Sequence, residues 1–186
     1  MDVDGVLVRP PEMYGLKLLA RHPEAIRAFF HGPFLACSTG QSDLRDHAPA
    51  LMRQIGYEGS LDRFLLDWFE HENHPDPGLI AALHELRAAG WQVHLATNQE
   101  RHRLQYLLDE MRFSEFLDGE FASCTVGVRK PEPGYFARVT GALDGAGRIV
   151  FWDDAPENVE AARAAGWEAQ VYTDLAAFRR AMGLSQ

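Results

Sequence analysis

From Asp76 onward, segments with a helical pattern alternate with short apolar segments. A helix is predicted in DPGLIAALHELRAAG, because Asp76 is a good N-cap, Pro77 suits the first helical position and Gly90 suits the position just past the end. A strand ending near Thr97 is predicted in WQVHLAT, a run rich in β-branched and aromatic residues. Strands that alternate with helices of this length form a parallel sheet with helices on both faces. The alternation therefore predicts an α/β fold with a doubly wound, Rossmann-like parallel sheet.

The alternation continues to the C-terminus. Further strands are predicted in EFASCTV, RIVFWDD and EAQVYT, and further helices in ERHRLQYLLDEM, PGYFARVTGAL, PENVEAARAAG and the segment from Asp174 to Met182. The apolar run in RIVFWDD is typical of a strand buried on both faces, as in the interior of a parallel sheet.

Residues 11–75 lack this alternation. Amphipathic helical patterns occur in PEAIRAFF, SDLRDHAPALMRQIG and SLDRFLLDWFEHEN, with Ser42 and Ser60 as candidate N-caps and no strand pattern between them. The sequence therefore predicts a core domain of residues 1–10 and 76–186, with residues 11–75 inserted after the first strand as a small, all-helical cap.

Three aromatic residues of this insertion, Phe64, Trp68 and Phe69, recur at helical spacing. Such spacing is typical of packing between helices, and we expect packing of this kind in the insertion. The alternative is that they line a substrate pocket.

Composition excludes several classes of partner. The chain has 186 residues, enough for one domain with an insertion, and 18 basic against 27 acidic residues give a net charge of −9. This charge argues against a broad basic surface for nucleic acid or anionic lipid. No apolar run is long enough to cross a bilayer, and no signal-peptide pattern is present.

The two cysteines, Cys37 and Cys124, are predicted to be free thiols in a reducing compartment. We therefore expect a cytoplasmic protein that binds neither nucleic acid nor membrane. Both a monomer and a homodimer are consistent with the sequence.

Unusual polar residues stand at the predicted strand ends, where open parallel sheets bind their ligands. These residues are Asp2 and Asp4 in DVDG, Thr97 and Asn98 in ATN, Lys130 in VRKPEP, and Asp153, Asp154 and Asn158 in WDDAPEN. Each one alone has an ordinary explanation as a helix cap, a strand end or a solvated loop charge. Asp2 and Asp4, however, repel each other unless a cation or hydrogen-bond donors offset their charge.

In this order, the segments DVDGVL, VHLATN, GVRKPEP and IVFWDDAPENV resemble the four motifs of the haloacid dehalogenase (HAD) superfamily. The resemblance is to its phosphatase-like hydrolases with a helical cap after the first motif. It implies hydrolysis of a small phosphorylated metabolite, with sugar phosphates and nucleoside monophosphates as the leading classes. A phosphomutase with the same chemistry and a catalytically silent protein with the same fold are the alternatives.

The resemblance also implies the catalytic roles. Asp2 is expected to be the nucleophile that forms an aspartyl-phosphate, and Asp4 the general acid and base. The spacing of two residues allows both side chains to share one face of a strand. Thr97, Asn98 and Lys130 are expected to bind the phosphate, with Thr97 and Lys130 also stabilising the transition state.

A magnesium ion is the cofactor that the resemblance implies. Its expected ligands are Asp2, the backbone carbonyl of Asp4, and Asp154 with Asp153 beside it, because Mg²⁺ prefers hard oxygen donors. Asn158, one helical turn beyond Asp154, is expected to orient a ligand or a water molecule.

The first motif begins unusually early, since Met1 alone precedes Asp2. A member of the family would carry several apolar residues there as a strand in the middle of the sheet. We therefore expect the natural protein to begin upstream. If it begins at Met1 instead, the α-amino charge would lie near the metal site and activity would be poor or absent.

Overall fold

The computed structural model describes residues 1–143, 145 and 147–185. Its helices are α1 (Tyr14–Leu19), α2 (Pro23–Phe30), α3 (Pro33–Ser38), α4 (Leu44–Gln54), α5 (Leu61–His71), α6 (Pro77–Ala88), α7 (Arg101–Asp109), α8 (Ser123–Val126), α9 (Pro133–Ala142), α10 (Pro156–Ala164) and α11 (Leu175–Met182). Its strands are β1 (His94–Thr97), β2 (Gly119–Ala122), β3 (Val150–Asp153) and β4 (Glu168–Val171). A 3₁₀ turn covers Phe113–Glu115.

The strands form two parallel pairs, β1 with β2 and β3 with β4. The first two residues of the chain connect these pairs. The amide of Ala96 donates to the carbonyl of Met1 at 2.8 Å, and the amide of Asp2 donates to the carbonyl of Trp152 at 2.9 Å. Asp2 therefore lies between the carboxyl ends of β1 and β3. The predicted α/β fold with a parallel, Rossmann-like core and a helical cap is confirmed.

Residues 1–10 turn sharply after Asp2 instead of forming a long strand. The amide of Val8 donates to the carbonyl of Val3 at 2.8 Å, and the amide of Gly5 donates to the carbonyl of Val8 at 2.9 Å. Gly5 has φ +78°, a conformation that side chains with a Cβ rarely adopt. This turn brings Asp4 back toward the strand ends.

An apolar cleft of about 340 Å³ lies beside Met1 between β1 and β3, lined by residues that include Val93, Val150 and Trp152. The acids of the strand ends do not line it. The α-amino group of Met1 donates to the carbonyl of His94 at 3.1 Å. Burial, followed by the charge of Lys130, lowers the pKa of this amino group to about 5.

Helix α6 has the ends that the sequence predicts. The Asp76 carboxylate accepts hydrogen bonds from the amides of Gly78 and Leu79 at 2.9 and 3.0 Å. Its apolar face is buried with strand β1 in one hydrophobic cluster that includes Leu83 and Leu95. Each such buried side chain stabilises the fold by about 1.5–3 kcal/mol.

Two details differ from the sequence prediction. The strand predicted in EFASCTV ends at Ala122, and the chain then forms the short helix α8. At this junction the Ser123 hydroxyl accepts from the Gln99 amide at 3.1 Å and donates to the Ser38 carbonyl at 2.5 Å. The N-cap of α4 is Asp43 rather than Ser42, since Asp43 accepts from the Arg45 amide at 2.8 Å. The predicted cap at Ser60 is confirmed.

Residues 11–75, all of which the structure describes, contain helices α1 to α5 and no strand. The short helices α1 and α3 carry no clear sequence pattern. The insertion has its own hydrophobic cluster, which includes Phe64, Trp68 and Phe69. We propose that residues 11–75 form the cap domain and that residues 1–10 and 76–186 form the core.

Cys37 and Cys124 are free, and burial raises the pKa of each thiol to about 11. Within the described ranges, no helix has the length and apolar character needed to span a membrane.

Replacing Asp76 with alanine removes the N-cap of α6, so we expect the free energy of unfolding to fall by about 1 kcal/mol. Asp76→Asn keeps an acceptor oxygen and should retain most of the stability. Urea denaturation followed by circular dichroism measures both variants. Equal losses in the two variants would contradict the capping role.

Candidate active site

The predicted site residues come together around one cavity of about 570 Å³ at the carboxyl ends of β1 and β3. Its lining includes Asp2, Asp4, Thr97, Asn98, Lys130, Asp154 and Asn158. The remaining predicted residue, Asp153, is fully buried behind this lining. The chain therefore assembles the site from its first residues, the end of β1, the loop before α9 and the start of α10.

Lys130 is buried between two carboxylates. Its Nζ lies 2.9 Å from Oδ1 of Asp2 and 2.5 Å from Oδ2 of Asp153. The other oxygen of Asp153 accepts from the amide of Ala155 at 2.9 Å and from Nδ2 of Asn158 at 3.0 Å. Asp153 is thus fully engaged by its neighbours and holds Lys130 in place against Asp2.

The side chain of Asn98 fixes the backbone of Lys130. Its Nδ2 donates to the Lys130 carbonyl and its Oδ1 accepts from the Lys130 amide, both at 2.9 Å. The family resemblance implies that Asn98 binds phosphate. In the structure its amide group is used to position Lys130, although the residue still lines the cavity.

Asp4 lies in a different environment from Asp2. Its Oδ2 accepts from Nε2 of Gln99 at 2.6 Å, and its Oδ1 lies 4.0 Å from Nη2 of Arg103. Burial raises the pKa of Asp4 to about 6, while the charge of Arg103 opposes this rise. A carboxyl group with this pKa gives and takes protons close to neutral pH, as a general acid and base must.

Three carboxylates form a cluster that could hold a cation. Asp2, Asp153 and Asp154 each offer an oxygen within 4.8 Å of the others. Burial raises the pKa of Asp2, opposed by Lys130, and burial together with the charges of Asp2 and Asp153 raises that of Asp154. A divalent cation would offset this negative charge, and the all-oxygen donor set fits Mg²⁺.

Gly5 allows the first motif to approach this cluster closely. A Cβ built at position 5 would lie 2.2 Å from Oδ2 of Asp154. No larger residue fits this position without moving the Asp154 carboxylate. The φ angle therefore favours glycine in DVDG, and a larger residue there would also displace the Asp154 carboxylate.

A buried ion pair that no sequence pattern predicts lies beside Asp4. Nη2 of Arg103 lies 3.7 Å from Oε2 of Glu72, and both residues are about 4% exposed. The other oxygen of Glu72 accepts from the amide of Tyr14 at 2.9 Å and from Nε1 of Trp68 at 3.1 Å. Charged residues in a helical pattern usually face solvent, so only tertiary structure reveals this pair, which joins the insertion to Asp4.

The sequence profile of the haloacid dehalogenase-like hydrolases matches residues 1–166. The chain belongs to this family. It is therefore a HAD superfamily hydrolase, as the order of its four motifs suggests.

Among the curated relatives of this HAD hydrolase are two phosphatases and a flavin mononucleotide hydrolase. Sesquiterpene phosphatase astK of Aspergillus oryzae is 35% identical over 54% of this chain and 52% of its own length. Flavin mononucleotide hydrolase 1 of Arabidopsis thaliana is 33% identical over 46% of this chain and 35% of its own length. A phosphoglycolate phosphatase of Cereibacter sphaeroides is 29% identical over 70% and 59%, respectively. The chain spans about half the length of the curated relatives it matches.

Solved structures share the fold of this HAD hydrolase. A predicted HAD-like hydrolase from Porphyromonas gingivalis has a TM-score of 0.76 at 20% identity, covering 99% of this chain and 96% of its own. A HAD family enzyme from Bacteroides thetaiotaomicron, solved as a magnesium complex, has a TM-score of 0.77 at 19% identity, covering 92% and 90%. At these identities the likeness establishes the fold.

Lys130→Met removes the cation from between two buried carboxylates, so we expect the free energy of unfolding in metal-free buffer to fall by about 3 kcal/mol. The control is Arg45→Met, which breaks the ion pair with Asp62 whose side chains are 42% and 78% exposed. That change should cost less than about 1 kcal/mol. Chemical denaturation compares the two. A loss for Lys130→Met no larger than the control would contradict the role of Lys130.

Proposed function

We propose that this hydrolase is a Mg²⁺-dependent phosphatase that cleaves a small phosphoric monoester through an aspartyl-phosphate on Asp2. The observation that carries the proposal is the placement of the Lys130 ammonium 2.9 Å from Asp2, in a cavity that Asp4, Thr97 and Asp154 also line. A carboxylate attacks a phosphoryl group only where nearby cations offset their repulsion. The phosphatase activities named for the curated relatives support the same reaction class.

Each residue has a role that its surroundings favour. A carboxylate oxygen of Asp2 forms a bond to phosphorus while the bond to the leaving oxygen breaks, and Asp4 gives that oxygen a proton. Asp4 then takes a proton from the water that attacks the aspartyl-phosphate and releases phosphate. Lys130 and Thr97 hold the phosphoryl oxygens as their charge develops.

Magnesium would be held by the carboxylates of Asp2 and Asp154, with the backbone carbonyl of Asp4 completing the set of protein ligands. It would supply positive charge against the phosphoryl group. We assign Asp153 to positioning Lys130 and Asn158, because its oxygens already accept hydrogen bonds from them and from Ala155. In this proposal Asp153 therefore contributes less to metal binding than the family resemblance implies.

The reaction proposed here ends in free phosphate rather than in transfer back to the substrate. The named relatives act on phosphoesters as different as those of a sesquiterpene phosphatase, a flavin mononucleotide hydrolase and a phosphoglycolate phosphatase. Sugar phosphates and nucleoside monophosphates, the classes suggested by the sequence, belong in the first substrate panel. Release of inorganic phosphate without an isomeric phosphoester separates a phosphatase from a phosphomutase.

Asp2→Asn removes the nucleophile, so we expect kcat for monoester hydrolysis to fall by at least about 10³-fold. The matched control is Asp109→Asn, an exposed acid outside the cavity, which should retain activity. Phosphate release is measured alongside thermal unfolding of each protein. Undiminished hydrolysis by folded Asp2→Asn protein would show that Asp2 is not the nucleophile.

Removal of divalent ions with a chelator should abolish hydrolysis, and Mg²⁺ should restore it. Asp154→Asn should weaken Mg²⁺ binding in calorimetry by about tenfold or more, because one carboxylate of the cluster is lost. Glu157→Gln, an exposed acid three residues along the same segment, is the control and should bind normally. Activity that persists fully in chelator would contradict the metal requirement.

A further inference from the structure

We propose that the alcohol part of the substrate is an apolar group held in a second cavity, the cap chamber, between the helical insertion and the core. The cap chamber has a volume of about 330 Å³, and its wall on the insertion side includes Leu16, Leu19, Ile26, Phe30, Phe34 and Trp68. This inference rests on the proposed phosphatase function, since it assigns the leaving group of the same reaction.

The cap chamber adjoins the phosphate site at Asp4, the residue proposed to protonate the leaving group. Asp4, Met13 and Asn98 line both the cap chamber and the cavity of about 570 Å³. A monoester with its phosphoryl group between Asp2 and Lys130 would therefore direct its alcohol part past Asp4 into the cap chamber. The two cavities together match a molecule with one anionic end and one apolar end.

The wall of the cap chamber is aromatic. The ring centroids of Phe30 and Phe34 are 4.8 Å apart, and those of Phe34 and Trp68 are 6.0 Å apart with the planes inclined by 30°. Contact with such a wall stabilises the binding of apolar or planar groups, because it removes them from water. An aromatic wall does not replace the hydrogen bonds to water that the hydroxyl groups of a sugar lose when they enter the chamber.

Most of the polar side chains that line the cap chamber from the core already have hydrogen-bond partners. Both oxygens of Glu100 accept from backbone amides, those of residues 102 and 103, and the amide of Asn98 is bonded to Lys130. Gln99 donates to Asp4. Among the described residues that line the cap chamber, Nε of Arg103 and Oδ1 of Asp4 are buried without a hydrogen-bond partner, so few polar atoms are left to pair with the ligand's alcohol part.

The size of the cap chamber sets the size of the group. One water molecule takes about 30 Å³ of liquid volume, so roughly ten non-hydrogen atoms fit. Arg27 and His31 also line the cap chamber, and both are exposed, which places the solvent side there. An aryl or alkyl alcohol of about ten carbons fits better than the sugar and nucleoside groups that the sequence suggests.

The first arm of the test measures kcat/KM for naphthyl phosphate, decyl phosphate, glucose phosphate and glycerol phosphate in the presence of Mg²⁺. We expect the two apolar esters to exceed the two polar ones by about tenfold or more. The ratio of naphthyl to decyl phosphate shows whether a planar or a flexible group is preferred. Equal values across all four, or a preference for glucose phosphate, would overturn the apolar assignment and leave the phosphatase function intact.

The second arm changes the wall. Leu16, on α1, is 56% exposed, so Leu16→Asn should fold normally. We expect the ratio of kcat/KM for naphthyl phosphate to that for glycerol phosphate to fall about fivefold. The matched control is Leu66→Asn on α5, at a leucine that is 37% exposed and outside the cap chamber. An unchanged ratio in Leu16→Asn, or an equal fall in Leu66→Asn, would count against the cap chamber.

The third arm separates failure of this inference from failure of the proposed function. Calorimetry measures naphthyl phosphate binding to Asp2→Asn protein, with and without the additional Leu16→Asn change. Binding that weakens about fivefold with Leu16→Asn supports the cap chamber even if no ester in the panel is hydrolysed, in which case only the phosphatase proposal fails. If naphthyl phosphate does not bind, or binds equally well with and without Leu16→Asn, the assignment of the alcohol part to the cap chamber is overturned.

Discussion

The buried ammonium group of Lys130 is the interaction on which the site depends. It lies between the carboxylates of Asp2 and Asp153, at 2.9 and 2.5 Å, and its side chain is 1% exposed. A charge taken out of water at this depth is tolerated only with close partners of opposite sign. The ion pairs therefore hold the start of the chain, the end of β3 and the loop before α9 together, with Asn98 fixing that loop from the end of β1.

The same arrangement separates the two acids of the first motif. Asp2 faces Lys130 and the acidic cluster, whereas Asp4 faces Gln99 and Arg103, and burial raises the pKa of Asp4 to about 6. Burial raises the pKa of both carboxyl groups, but the positive charge that opposes the rise is Lys130 at Asp2 and Arg103 at Asp4. The two-residue spacing and the turn at Gly5 make this separation possible within four residues of sequence.

The strand ends could be predicted from the sequence because alternating helices and strands place polar residues at one edge of a parallel sheet. The buried pair of Arg103 and Glu72 could not, since periodicity tells which face of a helix is apolar and not what that face meets. Trp68 shows the same limit. Its helical spacing predicts packing within the insertion, which is confirmed, yet its side chain also lines the cap chamber.

The buried ion pair of Arg103 and Glu72 holds the insertion beside Asp4. Glu72 directly follows α5, the last helix of the insertion, and accepts hydrogen bonds from Tyr14 and Trp68, while Arg103 belongs to the core and donates to the carbonyl of Phe69 at 3.4 Å. A buried pair of this kind contributes little net stability, but removing either partner leaves an isolated charge in the interior. The pair thus ties the position of the aromatic wall to the residue proposed to protonate the leaving group, so that a change in the cap alters the proton donor's surroundings as well.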